Sequence, residues 1–113
     1  MTGAEYANLI ASYIVHNFEG RGLKVYREVM VGKSIIGKSR RIDLMVINEG
    51  SNQALALECK HQDSKGTVDE KIPYTLQDAE AMQMPSYIVY GGGGFSEGVF
   101  HMLQASELAA YCK

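Results

Sequence analysis

The sequence predicts an α/β fold: one domain over residues 1–113, a central mixed sheet flanked by helices, in the order α-β-β-β-α-β-α. Three observations predict it. The first twenty residues repeat apolar side chains at helical spacing. The next forty hold three stretches of period-two alternation broken by turn clusters. A second helical stretch then leads into the short β-rich run SYIVY, which reads as a crossover to a further strand.

The first helix is expected over Gly3–Glu19, with Tyr6, Leu9, Ile10, Tyr13, Ile14 and Phe18 on one apolar face. Thr2 and Glu5 have the spacing of a capping box, and Gly20 is a plausible stop. Leu23–Val31 alternates as a strand, with Leu23, Val25, Val29 and Val31 facing one way and Arg27 breaking the apolar series. A glycine-bearing basic connection follows. Arg41–Ile47 and Gln53–Lys60 are the second and third strands, joined by the turn cluster NEGSN.

After the loop Gln62–Gly66, Thr67 and Glu70 repeat the capping-box spacing. Pro73 leaves two starts open for the second helix: Val68, with one backbone bond lost, or the neighbourhood of Pro73 itself. In either case the helix runs to about Met82, and Pro85 marks a stop. Ser86–Tyr90 is the fourth strand, expected parallel to a strand of the meander. The four glycines 91–94 read as a flexible turn. Phe95–Cys112 looks mostly helical, with a restart at Ser106 and Glu107.

Composition excludes several classes. No apolar run approaches the ~18 residues that span a bilayer, so no membrane partner is expected. The N-terminus lacks the basic segment of a secretory signal, and the expected location is cytoplasmic; a phage or mobile element is a compatible source. Cys59 and Cys112 make neither a disulfide framework nor a zinc ribbon, and His16, His61 and His101 are scattered. No G-x-G-x-x-G unit follows the first strand, so no organic dinucleotide cofactor is expected. The glycine run could approach phosphate, but a plain loop is the simpler reading.

The net charge of −2 conceals an asymmetry. Residues 1–41 hold seven Lys/Arg against three Asp/Glu, and residues 42–113 hold four against ten. A nucleic-acid partner would therefore need a local basic face. The stretch from Gly32 to Arg41 could supply one through Lys33, Lys38, Arg40 and Arg41; a solvated hairpin tip is the plain alternative.

The third strand carries the chemistry. Leu55, Leu57 and Cys59 point to one face, and Ala54, Ala56, Glu58 and Lys60 to the other. Folding the second and third strands about the Gly50–Ser51 bond sets Asp43 opposite Glu58, with Cβ atoms roughly 4.5–5.5 Å apart. Two carboxylates so placed repel unless a cation or a proton joins them. A one-residue slip would separate them. Hard divalent cations prefer oxygen ligands, and Asp43, Glu58 and the backbone carbonyl of Cys59 form such a set. A cation there would polarise a phosphoryl oxygen and acidify water. Lys60 could orient that water, stabilise charge on phosphorus, or act as a base. The plain alternative is a charge cluster at a solvated sheet edge.

The pattern Ile42-Asp43 followed by Ala56-Leu57-Glu58-Cys59-Lys60 resembles the PD-(D/E)XK, or restriction-endonuclease-like, nucleases. Their αβββαβ core has the same element order. The resemblance covers most of the chain, with Ile42 where proline often stands. It implies Asp43 and Glu58 as metal-binding acids, Lys60 as the motif lysine, and Glu5 as the first-helix acid that assists metal or water, unless Glu5 only closes its capping box. It also implies Mg²⁺, with Mn²⁺ able to substitute. Lys71 and Gln77, on the helix after the motif strand, could face the site or a phosphate. Glu28, on a strand near the site, is a weaker candidate.

The expected function is Mg²⁺-dependent hydrolysis of DNA phosphodiester bonds by an endonuclease. A homodimer or higher homo-oligomer would extend its basic surface. Restriction-like, homing-type and junction-resolving enzymes all fit. The competing readings are a non-catalytic nucleic-acid-binding module on the same fold and a small structural or regulatory protein.

Overall fold

Thr2 and Glu5 start the first helix by reciprocal capping. The Thr2 N–H donates to Glu5 Oε1 at 2.8 Å, and the Glu5 N–H donates to Thr2 Oγ1 at 3.1 Å. The computed structural model describes residues 1–33, 37, 39–82 and 84–112, and only the backbone of residues 19, 33 and 39. In it this helix, α1, spans Gly3–Phe18. It buries a narrower stripe than its periodicity predicts: Tyr6, Ile10 and Ala11 are buried, whereas Leu9 and Tyr13 are exposed. A 3₁₀ turn, Glu19–Arg21, follows, and the left-handed position is Gly22 (φ 76°), two residues beyond the expected stop.

Strand β1 (Leu23–Lys33) pairs antiparallel with β2 (Ser39–Asn48), which pairs antiparallel with β3 (Gln53–His61). The β2–β3 turn is built by Asn48, whose Oδ1 accepts the N–H groups of Gly50 (3.0 Å) and Ser51 (3.3 Å). That turn sets the expected register, from Asn48↔Gln53 to Leu44↔Leu57. Helix α2 (Val68–Ala81) crosses to β4 (Ser86–Gly91), which adds parallel to β3. Helix α3 (Glu97–Ala105) follows, then β5 (Ala109–Tyr111), parallel to β4. The sheet order is β1-β2-β3-β4-β5.

Three local expectations are corrected. The helical restart at Ser106 and Glu107 is instead a turn into β5. Ser106 Oγ accepts the Leu108 N–H at 3.1 Å, and the Cys112 N–H donates to the Tyr90 carbonyl at 2.8 Å. Ala-Ala-Tyr is a weak strand sequence, and pairing with β4 decides its conformation. Of the two starts left open, helix α2 takes Val68, with Pro73 inside it; the expected capping box at Thr67 does not form. The Val68 N–H is capped by Gln62 Oε1 at 2.9 Å, a residue outside the local pattern.

The third correction concerns glycines 91–94, expected as a flexible turn. A Cβ at Gly92 (φ +89°) would stand 2.3 Å from the Gln62 carbonyl oxygen, and one at Gly94 would stand 2.5 Å from the Ser64 backbone. These glycines let the loops after β3 and β4 pack backbone to backbone. The Gly94 N–H donates to the Gln62 carbonyl at 2.7 Å, and Gln62 Nε2 donates to the Gly94 carbonyl at 2.8 Å and to Asp69 Oδ1 at 3.1 Å.

The sheet lies between two helical layers. On one face, Tyr6, Ile10 and Ala11 of α1 pack with Leu44 and Cys59 and against Val25, Leu57 and Val89. On the other, Ile72, Ala79 and Leu103 of α2 and α3 pack with Ile88 and Tyr90. Alternation along β4 sends Val89 to one layer and its neighbours Ile88 and Tyr90 to the other. Among the described residues, no helix is long and apolar enough to cross a membrane.

Candidate active site

The β2–β3 register that ends at Leu44↔Leu57 brings Asp43 level with Glu58 one step further on. Asp43 Oδ2 accepts the Cys59 N–H at 2.8 Å, which fixes this carboxylate on the motif strand. The Glu58 carboxyl is pushed up to about 7, first by burial, then by the adjacent charge of Asp43; Lys60 opposes the shift. Lys60 Nζ lies 4.0 Å from Glu58 Oε2, and both side chains are about one quarter exposed (24% and 23%). Burial first, and the same two acids next, push the Cys59 thiol up to about 12, so this cysteine is an inert core residue.

An open cleft of about 520 Å³ adjoins the pair. Gly3, Ala4, Ala7 and Asn8 of α1 line one wall, and Arg27, Glu28, Arg41, Asp43, Leu44, Cys59 and Lys60 line the rest. The small α1 residues leave the mouth unobstructed. Glu58 is not on the cleft wall and joins it through Asp43 and Lys60. A second groove, about 700 Å³ around Val46, Leu55 and Tyr87, contains no carboxylate or cation. Of these two, the first cleft carries the charged side chains.

The other sequence candidates divide. Arg41 reaches the cleft, 62% exposed and 4.0 Å from Glu28. Glu5 does not: its carboxylate closes the capping box with Thr2 and is absent from the cleft wall. Arg40 is largely buried and pairs with Asp78 of α2 at 2.5 Å, so it offers no open surface to a phosphate. Lys71 and Gln77 are exposed on α2, away from the cleft wall. Lys38 and the side chain of Lys33 lie outside the described residues. Two cleft residues escape sequence reasoning. Arg27 donates to Asn8 Oδ1 of α1, linking the walls. The one signal for it is its interruption of the apolar alternation; Asn8 has none.

Glu28 has a left-handed backbone (φ 53°) in mid-strand. Such a conformation costs a non-glycine residue about 1–3 kcal/mol.

A divalent cation fits this donor set. Among the described residues, no group of three or more His, Cys, Asp or Glu side chains converges as a metal cage. Two adjoining carboxylates, with the Glu58 carboxyl pushed up by burial and by the charge of Asp43, instead form a site that a cation would neutralise. Mg²⁺ commonly uses one or two carboxylates and completes its octahedron with waters and phosphate oxygens.

A five-stranded mixed sheet between helices, with an Asp43 and Glu58-Cys59-Lys60 set on one hairpin, defines the restriction-endonuclease-like class of folds. A family model for the PD-(D/E)XK nuclease superfamily domain matches residues 2–112, and the chain belongs to that superfamily. No curated protein matches the sequence. Among solved structures, a protein of unknown function aligns with TM-score 0.56 and 16% identity, over 93% of this chain and 56% of that one. EndoMS in complex with double-stranded DNA aligns with TM-score 0.50 and 16% identity, over 98% and 44%. A repair endonuclease from Pyrococcus abyssi aligns with TM-score 0.49 and 21% identity, over 100% and 46%. At these identities the likeness is one of fold. The chain spans about half the length of these three proteins.

Proposed function

We propose that residues 1–113 form a Mg²⁺-dependent endonuclease domain that hydrolyses DNA phosphodiester bonds. The observation that carries this reading is the adjoining Asp43–Glu58 pair with Lys60 4.0 Å from Glu58, beside an open cleft lined by arginines. The complex of EndoMS with double-stranded DNA favours DNA as the partner.

In this reading Asp43, Glu58 and the Cys59 carbonyl hold Mg²⁺, and Mn²⁺ can substitute. The cation supplies Lewis-acid polarisation of the phosphoryl group and lowers the pKa of water. The residues do the rest. The Cys59 N–H keeps Asp43 in place. Lys60 donates to the attacking water or to a non-bridging phosphate oxygen and offsets the charge that builds on phosphorus. Arg41 holds the scissile or a neighbouring phosphate at the cleft mouth. Water oxygen bonds to phosphorus, the bond to the leaving sugar oxygen breaks, a water proton leaves to solvent, and the leaving oxygen takes up a proton from solvent to become a hydroxyl. Pairing as a homodimer would present two such clefts to a duplex.

The test is incubation with supercoiled, linear, branched and single-stranded DNA, in Mg²⁺, Mn²⁺, Ca²⁺ or chelator. Cleavage is expected with Mg²⁺ or Mn²⁺, and binding without cleavage with Ca²⁺. Asp43→Ala and Lys60→Ala should each slow cleavage by at least about 10²-fold. Cleavage that survives chelator, or is unchanged in both variants, would sink the mechanism. Binding without cleavage on every substrate would favour the non-catalytic module.

A further inference from the structure

Glu28 departs from every local rule around it. The ladder keeps one register on both sides, Arg27↔Leu44 and Val29↔Ile42, so no inserted residue forces the backbone at Glu28 to turn. Yet Glu28 is left-handed (φ 53°), a conformation glycine accepts and glutamate rarely does. The same register sets Glu28 across from Asp43, and both line the cleft with Lys60. The Glu28 carboxylate is 69% exposed, with Arg41 at 4.0 Å its ion-pair partner among the described residues, so solvent and a hydrated ion can reach it. The cleft's α1 wall, where Glu5 was expected to add an acid, supplies Gly3, Ala4, Ala7 and Asn8, none of them charged. Among the described residues no three acids converge into a ready cage, so Glu28 shares the cleft with Asp43 without joining Asp43 and Glu58 as a direct ligand.

We infer that Glu28 is a positioning residue for the divalent cation. Its carboxylate accepts hydrogen bonds from the cation's hydration shell on the side facing Asp43, and the strained backbone is kept because it aims that carboxylate into the cleft. The inference rests on the divalent-metal reading above. An acid in a phosphate-binding cleft would otherwise repel substrate, which gives the effect of its removal a definite sign.

The experiment is calorimetric titration of the whole chain with Ca²⁺, without DNA, for wild type, Glu28→Gln, Glu28→Gly and Asp43→Asn, with thermal unfolding of each. Glu28→Gln should weaken Ca²⁺ binding about 10-fold, the usual effect of losing an outer-shell partner. Glu28→Gly should weaken it equally while unfolding at or above the wild-type temperature, because glycine relieves the left-handed strain. Asp43→Asn should abolish binding. Wild-type or tighter Ca²⁺ affinity in both Glu28 variants, with Asp43→Asn still defective, overturns the role of Glu28 and leaves the metal site standing. A wild type that takes up no Ca²⁺, or an Asp43→Asn variant that binds it normally, overturns the metal reading and this inference together.

Discussion

Glu58 links the site's chemistry to stability. Its carboxyl is held near 7, against 4.5 ordinarily, by burial and by Asp43. The fold therefore prefers the protonated form. Below the ordinary value both folded and unfolded chains carry the proton, and no stability is lost. As pH rises from 4.5 to about 7 the unfolded chain ionises first, and stability falls by at most about 3 kcal/mol. Metal-free protein in chelator should thus unfold at a lower temperature at pH 8 than at pH 5, relative to a Glu58→Gln variant that lacks this group. Mg²⁺ should reverse the difference at pH 8. Equal pH profiles for wild type and variant would show that Glu58 is not destabilised by its neighbour. This residue pair was legible in the sequence because two short-range rules specify it: strand alternation puts Glu58 and Lys60 on one face, and the Asn48 turn fixes the register opposite Asp43. Glu5 and Arg40 were less legible. A capping box and a cross-sheet partner such as Asp78 compete for the same charged groups, and spacing alone does not say which wins.

At the scale of elements, the region after the motif strand depends on contacts that local patterns do not encode. Gln62, two residues beyond Lys60, is buried; its side chain caps α2 and bonds Gly94 and Asp69. Truncation to alanine removes these bonds, leaving the Val68 N–H without its cap, and should cost about 1–3 kcal/mol. Gly92→Ala should cost at least as much, because its methyl would meet the Gln62 backbone at a left-handed position. Urea unfolding measures both, and a change below about 0.5 kcal/mol in either would contradict the packed arrangement. Meander strands, the parallel β4 and the first helix are readable because their signals lie within one element or one turn. β5 and the start of α2 are not, because a distant strand and a distant glutamine side chain determine them.

At the scale of the whole molecule, the decisive property is how a net charge of −2 is distributed. Nearly two thirds of the basic residues fall in the first 41 positions, and the structure turns Arg27 and Arg41 from that part into the cleft beside Lys60. Arg40 leaves the group by pairing with Asp78. A protein that is acidic overall then has only a small basic footprint, so DNA affinity should depend on few phosphate contacts and fall only shallowly with salt. Each contact contributes about −0.9 to the slope of log affinity against log salt. Arg41→Ala should make that slope shallower by about 1 and weaken binding alike on unrelated sequences. Arg40→Ala should leave the slope unchanged and lower stability, since it removes one partner of a largely buried ion pair. Fluorescence anisotropy with duplex DNA in Ca²⁺, from about 50 to 200 mM salt, reads both variants. An unchanged slope in Arg41→Ala, or a shallower one in Arg40→Ala, would place the DNA path on a different face of the sheet.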